Sequence, residues 1–426
     1  MIEALLLMEV AVFLIGFSYI FKRERIFGVY YLFLFVYGIF AQVGYIYVPE
    51  LSVLISAYFG AEIWIPSTRI IILSLALIFL LFAFCWKKIV ILMPLTFSVR
   101  AQKILFLEKS AIIFLIAIVC YQALYLILNI QDINWYTNQD EDFRSDNVAY
   151  ALFLFLFKFS VAINIVLYAI VRDRLGAYAR SIYVMLFSSC LCLFLFIAFR
   201  LGNRTDLLAF ALGSFVYHLY RDGFDFRKFI KITGLAFLLF VILYFIETAR
   251  YKDDGLQLDF WASIIAKDWY APAHILFAAV RYEVIDPIEV LTSNISNSLI
   301  MIGYPYLQYG VTEIFNPGVA TRSAGYAFYI LTEGYMFMGE MGFVYNAVLI
   351  VFGFAAWKKF ASTENKYFNN FLLGLMGCLL VNLVRGQGSY FIKYFYTFVI
   401  PGVYLYAALS GQSLVFKIKK TISFNK

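Results

Sequence analysis

Two arginines stand one helical turn apart, Arg200 and Arg204, in Phe199-Arg200-Leu201-Gly202-Asn203-Arg204-Thr205-Asp206. Apolar sequence flanks both. A guanidinium in such a setting is costly unless an anion or a polar group receives it. Its planar fork matches phosphate oxygens two at a time. Anion binding is therefore the first chemistry the chain suggests. Arginines recur in comparable places, at Arg250 in Glu247-Thr248-Ala249-Arg250-Tyr251 and at Arg385 in Leu383-Val384-Arg385-Gly386-Gln387-Gly388. Arg204 and Arg385 each lie close to glycine, which lets backbone or ligand approach. A single arginine at the end of a span ordinarily snorkels to lipid headgroups. Four of them, from three places in the chain, are better explained by one shared anionic ligand.

Other residues are less specific. His274, in Trp269-Tyr270-Ala271-Pro272-Ala273-His274, is the one histidine of the long segment 249–325. Its candidate role is to carry a proton or donate to a substrate oxygen; an ordinary structural histidine is the simpler reading. Asp206 either pairs with Arg204 or caps the next helix. Lys158 lies inside an apolar run, where it either meets substrate or pairs with an acid on another span. Arg281 and Arg322 are further basic residues of the long segment. With Arg200, Asn203 and Tyr251 they complete a candidate substrate-binding set. The five cysteines all lie in apolar windows without metal-ligand spacing and read as small buried hydrophobes. No zinc, phosphate-loop or dinucleotide signature occurs, so no cofactor is expected.

These residues must be positioned by membrane-spanning helices. The chain is 63% hydrophobic and 14% charged, against about 45–50% and about 25% in soluble domains. Uniformly apolar windows recur, each long enough for a hydrocarbon core of about 30 Å, and they lack the alternation of a membrane barrel. The expected fold is an all-α polytopic transmembrane bundle of about eleven spans. They fall at 4–21, 27–48, 69–86, 110–130, 148–171, 181–199, 206–220, 231–248, 338–357, 367–384 and 391–412. The first is expected to be a retained span and not a signal peptide. Alternate loops hold 22 of the 34 basic residues and 6 of the 27 acidic ones. The positive-inside rule makes those loops cytoplasmic, with the N-terminus outside and the C-terminus inside. That places the arginine set on the outer face, away from cytoplasmic nucleotide, and makes nucleic acid an unsuitable partner for the net charge of +7.

The whole of 1–426 reads as a single polytopic domain that carries one large outer loop, 249–325. A loop this long is usually functional or disordered, and its apolar stretches argue against disorder. Short amphipathic helices folded over the outer membrane surface are expected there. Residues 89–107 could lie as an amphipathic helix on the cytoplasmic surface. No internal repeat is visible, and neither are the paired broken segments of many transporters.

Taken together, Gly202-Asn203-Arg204-Thr205-Asp206-Leu207-Leu208, Arg250-Tyr251, Arg385-Gly386 and the segment 323–345, with Glu333-Gly334 and Gly339-Glu340-Met341-Gly342-Phe343, resemble the Wzy-type O-antigen and oligosaccharide repeat-unit polymerases. The likeness covers roughly residues 180–410. It implies an inner-membrane glycosyltransferase of the GT-C class that joins undecaprenyl-diphosphate-linked oligosaccharides on the periplasmic side. The lipid diphosphate leaves, so neither nucleotide sugar nor metal is required. The resemblance implies that Arg204, Arg250 and Arg385 stabilise the departing diphosphate and that His274 activates the acceptor or touches the diphosphate. It also implies a separate chain-length-determining co-polymerase, and it makes 323–345 a re-entry into the membrane. The alternatives are an O-antigen ligase, whose acceptor differs, a flippase or transporter of lipid-linked sugar, and a non-catalytic scaffold.

Overall fold

The computed structural model describes residues 2–47, 61–92, 95–99, 104–129, 148–174, 181, 238, 241, 271–298, 307–315, 328–361, 365–411 and 414–418. In chain order the elements are α1 (Ile2–Arg23), α2 (Arg25–Tyr47), α3 (Ala61–Leu92), β1 (Leu95–Val99), α4 (Ile104–Asn129) and α5 (Val148–Arg174). Then follow α6 (Ala271–Arg281), α7 (Pro287–Ser298), α8 (Leu307–Phe315), α9 (Ile330–Met338), α10 (Gly342–Ala361), α11 (Lys366–Val384), α12 (Ser389–Tyr394), α13 (Ile400–Ser410) and β2 (Leu414–Ile418). Among the described residues, seven helical segments are long and apolar enough to cross a membrane. The expected spans 181–199, 206–220 and 231–248 lie outside the described residues, apart from single positions.

Packing identifies the solvent. Phe84 is 78% exposed and Leu7 71%, and Leu14, Ile15, Ile113 and Ile127 are also exposed on long apolar helices. In water such surfaces would associate. Against lipid tails they are the ordinary outer face of a multi-pass membrane protein.

The chain divides into two compact units. One comprises Met1–Lys87, Thr233–Phe354 and Val381–Lys393; the other comprises Lys88–Ile232, Ala355–Leu380 and Tyr394–Lys426. In the first, α1 and α2 form an antiparallel hairpin about Glu24. Phe13 and Phe35 would stand about 33 Å apart along one straight helix, yet their rings stack at 4.0 Å. The hairpin closes tightly because Gly16 faces the Tyr31 ring and Gly28 the backbone of Phe21. Helix α2 is the central strut, and tyrosines satisfy hydrogen bonds around it. Tyr31 donates to the Leu75 carbonyl on α3 at 3.0 Å and Tyr30 to the Leu383 carbonyl at 3.4 Å. In the opposite sense, Tyr329 donates to the Leu34 carbonyl on α2 at 2.6 Å. In the second unit, α4 packs on α5 and α13. Phe155 and Phe159 of α5 meet the Phe398 ring, and Phe368 and Phe371 meet Tyr406. The Lys158 ammonium, buried in α5, lies 5.1 Å from the Phe398 ring centre. A cation over an aromatic face is thus one partner of this lysine.

Two expectations are corrected. Residues 89–107 are not one surface helix: α3 runs on to Leu92, α4 begins at Ile104, and between them β1 pairs antiparallel with β2, Phe97 opposite Phe416. The physical signal is the strict alternation Leu95-Thr96-Phe97-Ser98-Val99, a strand period and not a helical one. The fold is therefore helical with one two-stranded ribbon. The short helices of 249–325 also differ among themselves. In α6, every residue from Ala273 to Val280 is buried, so it is a core helix packed on α2, α8 and α9. Helix α7 is amphipathic in the inverted sense. Ile288, Leu291 and Ile295 are exposed along one stripe, whereas Ser293, Ser296 and Asn297 are buried. Apolar outward and polar inward is the pattern of a helix between lipid and a polar interior.

Candidate functional site

The site is built on two interruptions in apolar helices. The first lies between α9 and α10. Met338 ends α9, and Gly339 follows at φ +60°, ψ −136°, a conformation open essentially to glycine alone. One 3-10 turn, Gly339–Met341, reverses the chain into α10. Leu331 and Asn346 would be about 22 Å apart in a continuous helix, but the Asn346 amide donates to the Leu331 carbonyl at 2.9 Å. Asn346 also accepts from the Gly334 N–H at 3.1 Å and reaches Ser74 of α3 at 3.3 Å. A β-carbon on Gly334 would stand 2.2 Å from the Gly342 carbonyl oxygen, and one on Gly342 would stand 2.2 Å from the Gly334 backbone. Helices α9 and α10 are therefore a short helical hairpin, and α10, with 20 residues, is the spanning member. The span expected at 338–357 is this helix, and the segment 323–345 contains the folded-back α9.

The second interruption follows α11. The Arg385 N–H still completes the helical pattern to the Val381 carbonyl at 2.9 Å. Residues 386–388 are non-helical, and α12 begins at Ser389. This break is held by side chains. The Gln387 amide donates to Ser389 Oγ at 2.9 Å and Ser293 Oγ at 3.2 Å, and its oxygen accepts the Leu307 N–H that opens α8 at 3.1 Å. The Ser389 N–H donates to Asn294 Oδ1 at 2.9 Å. Past the break, the helical rise from Ser389 to Ser410 contains a wide π-type turn at Phe395–Val399, which accommodates Pro401 and its missing N–H.

Glu333 joins the two interruptions. Its side chain is fully buried near the start of α9. Oε1 accepts from the Tyr345 hydroxyl of α10 at 2.5 Å and from the Asn294 amide of α7 at 2.7 Å, and Oε2 accepts from the Gly388 N–H at 2.5 Å. These bonds replace the solvation that burial removes. With both oxygens engaged and no exposed surface, Glu333 is a fixed anchor and not a general base.

The residues singled out from the sequence fall in three groups. Arg204, Arg250, Arg200, Asn203, Tyr251 and Arg322 lie outside the described residues, as does Asp206. Arg385 is half-buried at the second interruption, three residues before the Gly388 N–H that Glu333 holds. His274 and Arg281 are on α6, which packs against α9. Arg281 is exposed at its end, and His274 is fully buried. Burial pushes the His274 imidazole down from its ordinary 6.5 to about 3, so it is neutral at physiological pH and does not suit the proton-carrier role. Nearby, the α7 carboxylate Glu289 is pushed up by desolvation and by the adjacent charge of Asp286, whose own carboxylate accepts the Glu289 N–H at 2.9 Å as the helix cap.

The His274 shift has a measurable consequence. Between about pH 6.5 and pH 3 the unfolded chain binds a proton at His274 that the folded chain refuses, so acidification destabilises the fold. Thermal unfolding of the purified protein in detergent is expected to show a midpoint that falls with acid more steeply in the wild type than in His274→Gln. Equal slopes would show that His274 contributes nothing to acid lability.

The sequence singles out Arg385; it shows Glu333 and Gln387 only as members of motifs without a role, and Asn294 and Tyr345 not at all. The available signal was polarity inside apolar windows: one carboxylate between Tyr329 and Met338, and Gln387 between two glycines. Compared with models of protein families, with curated proteins and with solved structures, the chain matches none.

Proposed function

We propose that this membrane protein is a polyprenyl-diphosphate-oligosaccharide-dependent glycosyltransferase that polymerises lipid-linked repeat units into a surface polysaccharide. The observation that carries the reading is Arg385 on a helix break that is tied to three other helices, by the Gly388 and Ser389 N–H groups and by the Gln387 side chain. A diphosphate leaving group gains negative charge as it departs, and a cation on a pre-set backbone stabilises that charge without reorganising. Arg204 and Arg250, and in a supporting role Arg200, Asn203, Tyr251, Arg281 and Arg322, complete the anion and sugar contacts. The charge sorting of the loops supports an outer-face site, which the resemblance makes the periplasmic face of an inner membrane. The inverted α7 helix supports a site at the lipid boundary, where an undecaprenyl carrier is confined: its exposed isoleucines and Leu291 face outward and Asn294 inward. A chain-length-determining co-polymerase is the expected protein partner.

A second reading has its own observation. Glu9 is fully buried in the first span, accepts from the Gln42 amide at 2.7 Å, and has its other oxygen without a hydrogen-bond partner. A carboxylate inside a span is what a transporter of lipid-linked sugar would also need. One experiment separates these readings. The gene is deleted and the surface polysaccharide is run on a gel. Polymerase loss leaves lipid core capped by a single repeat unit; ligase loss leaves uncapped core with polymer retained on its carrier. Transporter loss leaves uncapped core and no periplasmic polymer. The first pattern is expected.

A further inference from the structure

Glu333 binds two groups whose orientations cannot reverse. The Gly388 N–H is backbone. The Asn294 amide is fixed because its oxygen already accepts the Ser389 N–H at 2.9 Å and faces the Gln387 amide at 3.4 Å, so its nitrogen must point at Glu333. These two obligatory donors fall on different oxygens of Glu333. Both side-chain positions must therefore accept, which a carboxylate can do and an isosteric amide cannot. A glutamine here meets a donor with a donor in either rotamer. The α7 helix, the α9–α10 hairpin and the break after α11 are thereby tied at one point, and the near end of that break is Arg385.

We propose that Glu333 is the positioning residue of this site: its doubly accepting carboxylate clamps the 385–389 break against α7 and so sets where the Arg385 guanidinium stands. The proposal rests on the reading of Arg385 as a diphosphate contact. In this role Glu333 acts through Arg385 and not on the substrate itself. The donor logic also specifies its own rescue. In the swap Glu333→Gln with Asn294→Asp, the new glutamine nitrogen donates to the new aspartate oxygen. The glutamine oxygen still accepts from Gly388, and the other aspartate oxygen still accepts from Ser389.

The test uses the full chain in lipid nanodiscs with a lipid-diphosphate-linked repeat unit as substrate. Glu333→Gln is expected to lower kcat by about 100-fold, the scale of a small misplacement of a catalytic group, with KM changed far less. The Glu333→Gln/Asn294→Asp swap is expected to recover most of that loss. In an Arg385→Ala background, Glu333→Gln is expected to add no further loss, because the two act as one unit. A second readout does not depend on activity. In a background lacking the native cysteines, Arg385→Cys is labelled with a maleimide, with and without Glu333→Gln. Loss of the clamp is expected to raise the labelling rate by about tenfold, the scale of one buried hydrogen bond, and the swap to restore it. Unchanged labelling in Glu333→Gln overturns the clamp, and so does a swap that folds but rescues neither readout. Faster labelling together with full activity in Arg385→Ala keeps the clamp and overturns the diphosphate reading instead.

Discussion

Gly334→Val and Gly342→Val are each expected to abolish folding of the α9–α10 hairpin, read as loss of monodisperse protein after detergent extraction. A β-carbon at either position would overlap backbone atoms of the opposite helix at 2.2 Å. Flexible side chains can move aside, but here the obstacle is main chain on both sides. Overpacking in a core costs about 1–3 kcal/mol when side chains can yield. Here the helices must part, and parting them also strips the Asn346 bonds to Gly334 and Leu331 and the Tyr345 bond to Glu333. Each buried group left alone costs about 1–3 kcal/mol, so the combined loss approaches the whole stability of about 5–15 kcal/mol of a typical domain. Gly353→Ala is the control: the three atoms nearest its β-carbon all belong to the Phe391 side chain and none to backbone, so the ring can turn aside and the variant is expected to remain foldable. Wild-type yield and thermal midpoint in Gly334→Val would show that the two helices are not packed this way.

Arg204→Ala, Arg250→Ala and Arg385→Ala are each expected to cut polymerisation at least about 100-fold, the loss that follows removal of one preorganised donor to developing negative charge. The variants should insert and fold as the wild type does. The break beside Arg385 is tied down through the Gly388 and Ser389 N–H groups and the Gln387 side chain, and these bonds remain in the alanine variant. Arg385→Lys is expected to recover little, because an ammonium lacks the fork that meets two phosphate oxygens. The measurement is conversion of lipid-linked repeat units to polymer by purified variants, alongside ladders on a polysaccharide gel from complemented deletion cells. Full ladders from all three alanine variants would remove the arginines from the mechanism.

Much of the architecture is legible before folding is considered. Apolar windows such as 4–21 and 367–384 become α1 and α11 because an isolated backbone in lipid must satisfy its own hydrogen bonds. The ribbon is equally readable in the alternation of residues 95–99, whereas Arg100 and Lys103 among apolar residues suggest a surface helix that does not form. The described residues of 249–325 do form short helices, but not all of them lie on a surface as expected. Burial of α6 on all sides was not visible, because a short apolar helix looks alike on a membrane surface and in a core.

The candidate site divides along the same physical line. Whatever depends on one residue or its near neighbours was determined by sequence alone. Apolar length sets a helix in a membrane, and glycine at 339 permits a positive φ; that the glycine beside Arg385 leaves no room for a ligand, because the Tyr390 ring fills that side, was not legible. Pairing was decided only by the tertiary structure. Glu333 and Gly388 are 55 residues apart, and Asn294 and Ser389 are 95 apart. One carboxylate in an apolar run carries no record of which N–H it will accept. Hydrogen-bond donors are everywhere along a backbone, and burial alone makes one of them exclusive, by withdrawing water and leaving each polar group only the neighbours the fold supplies.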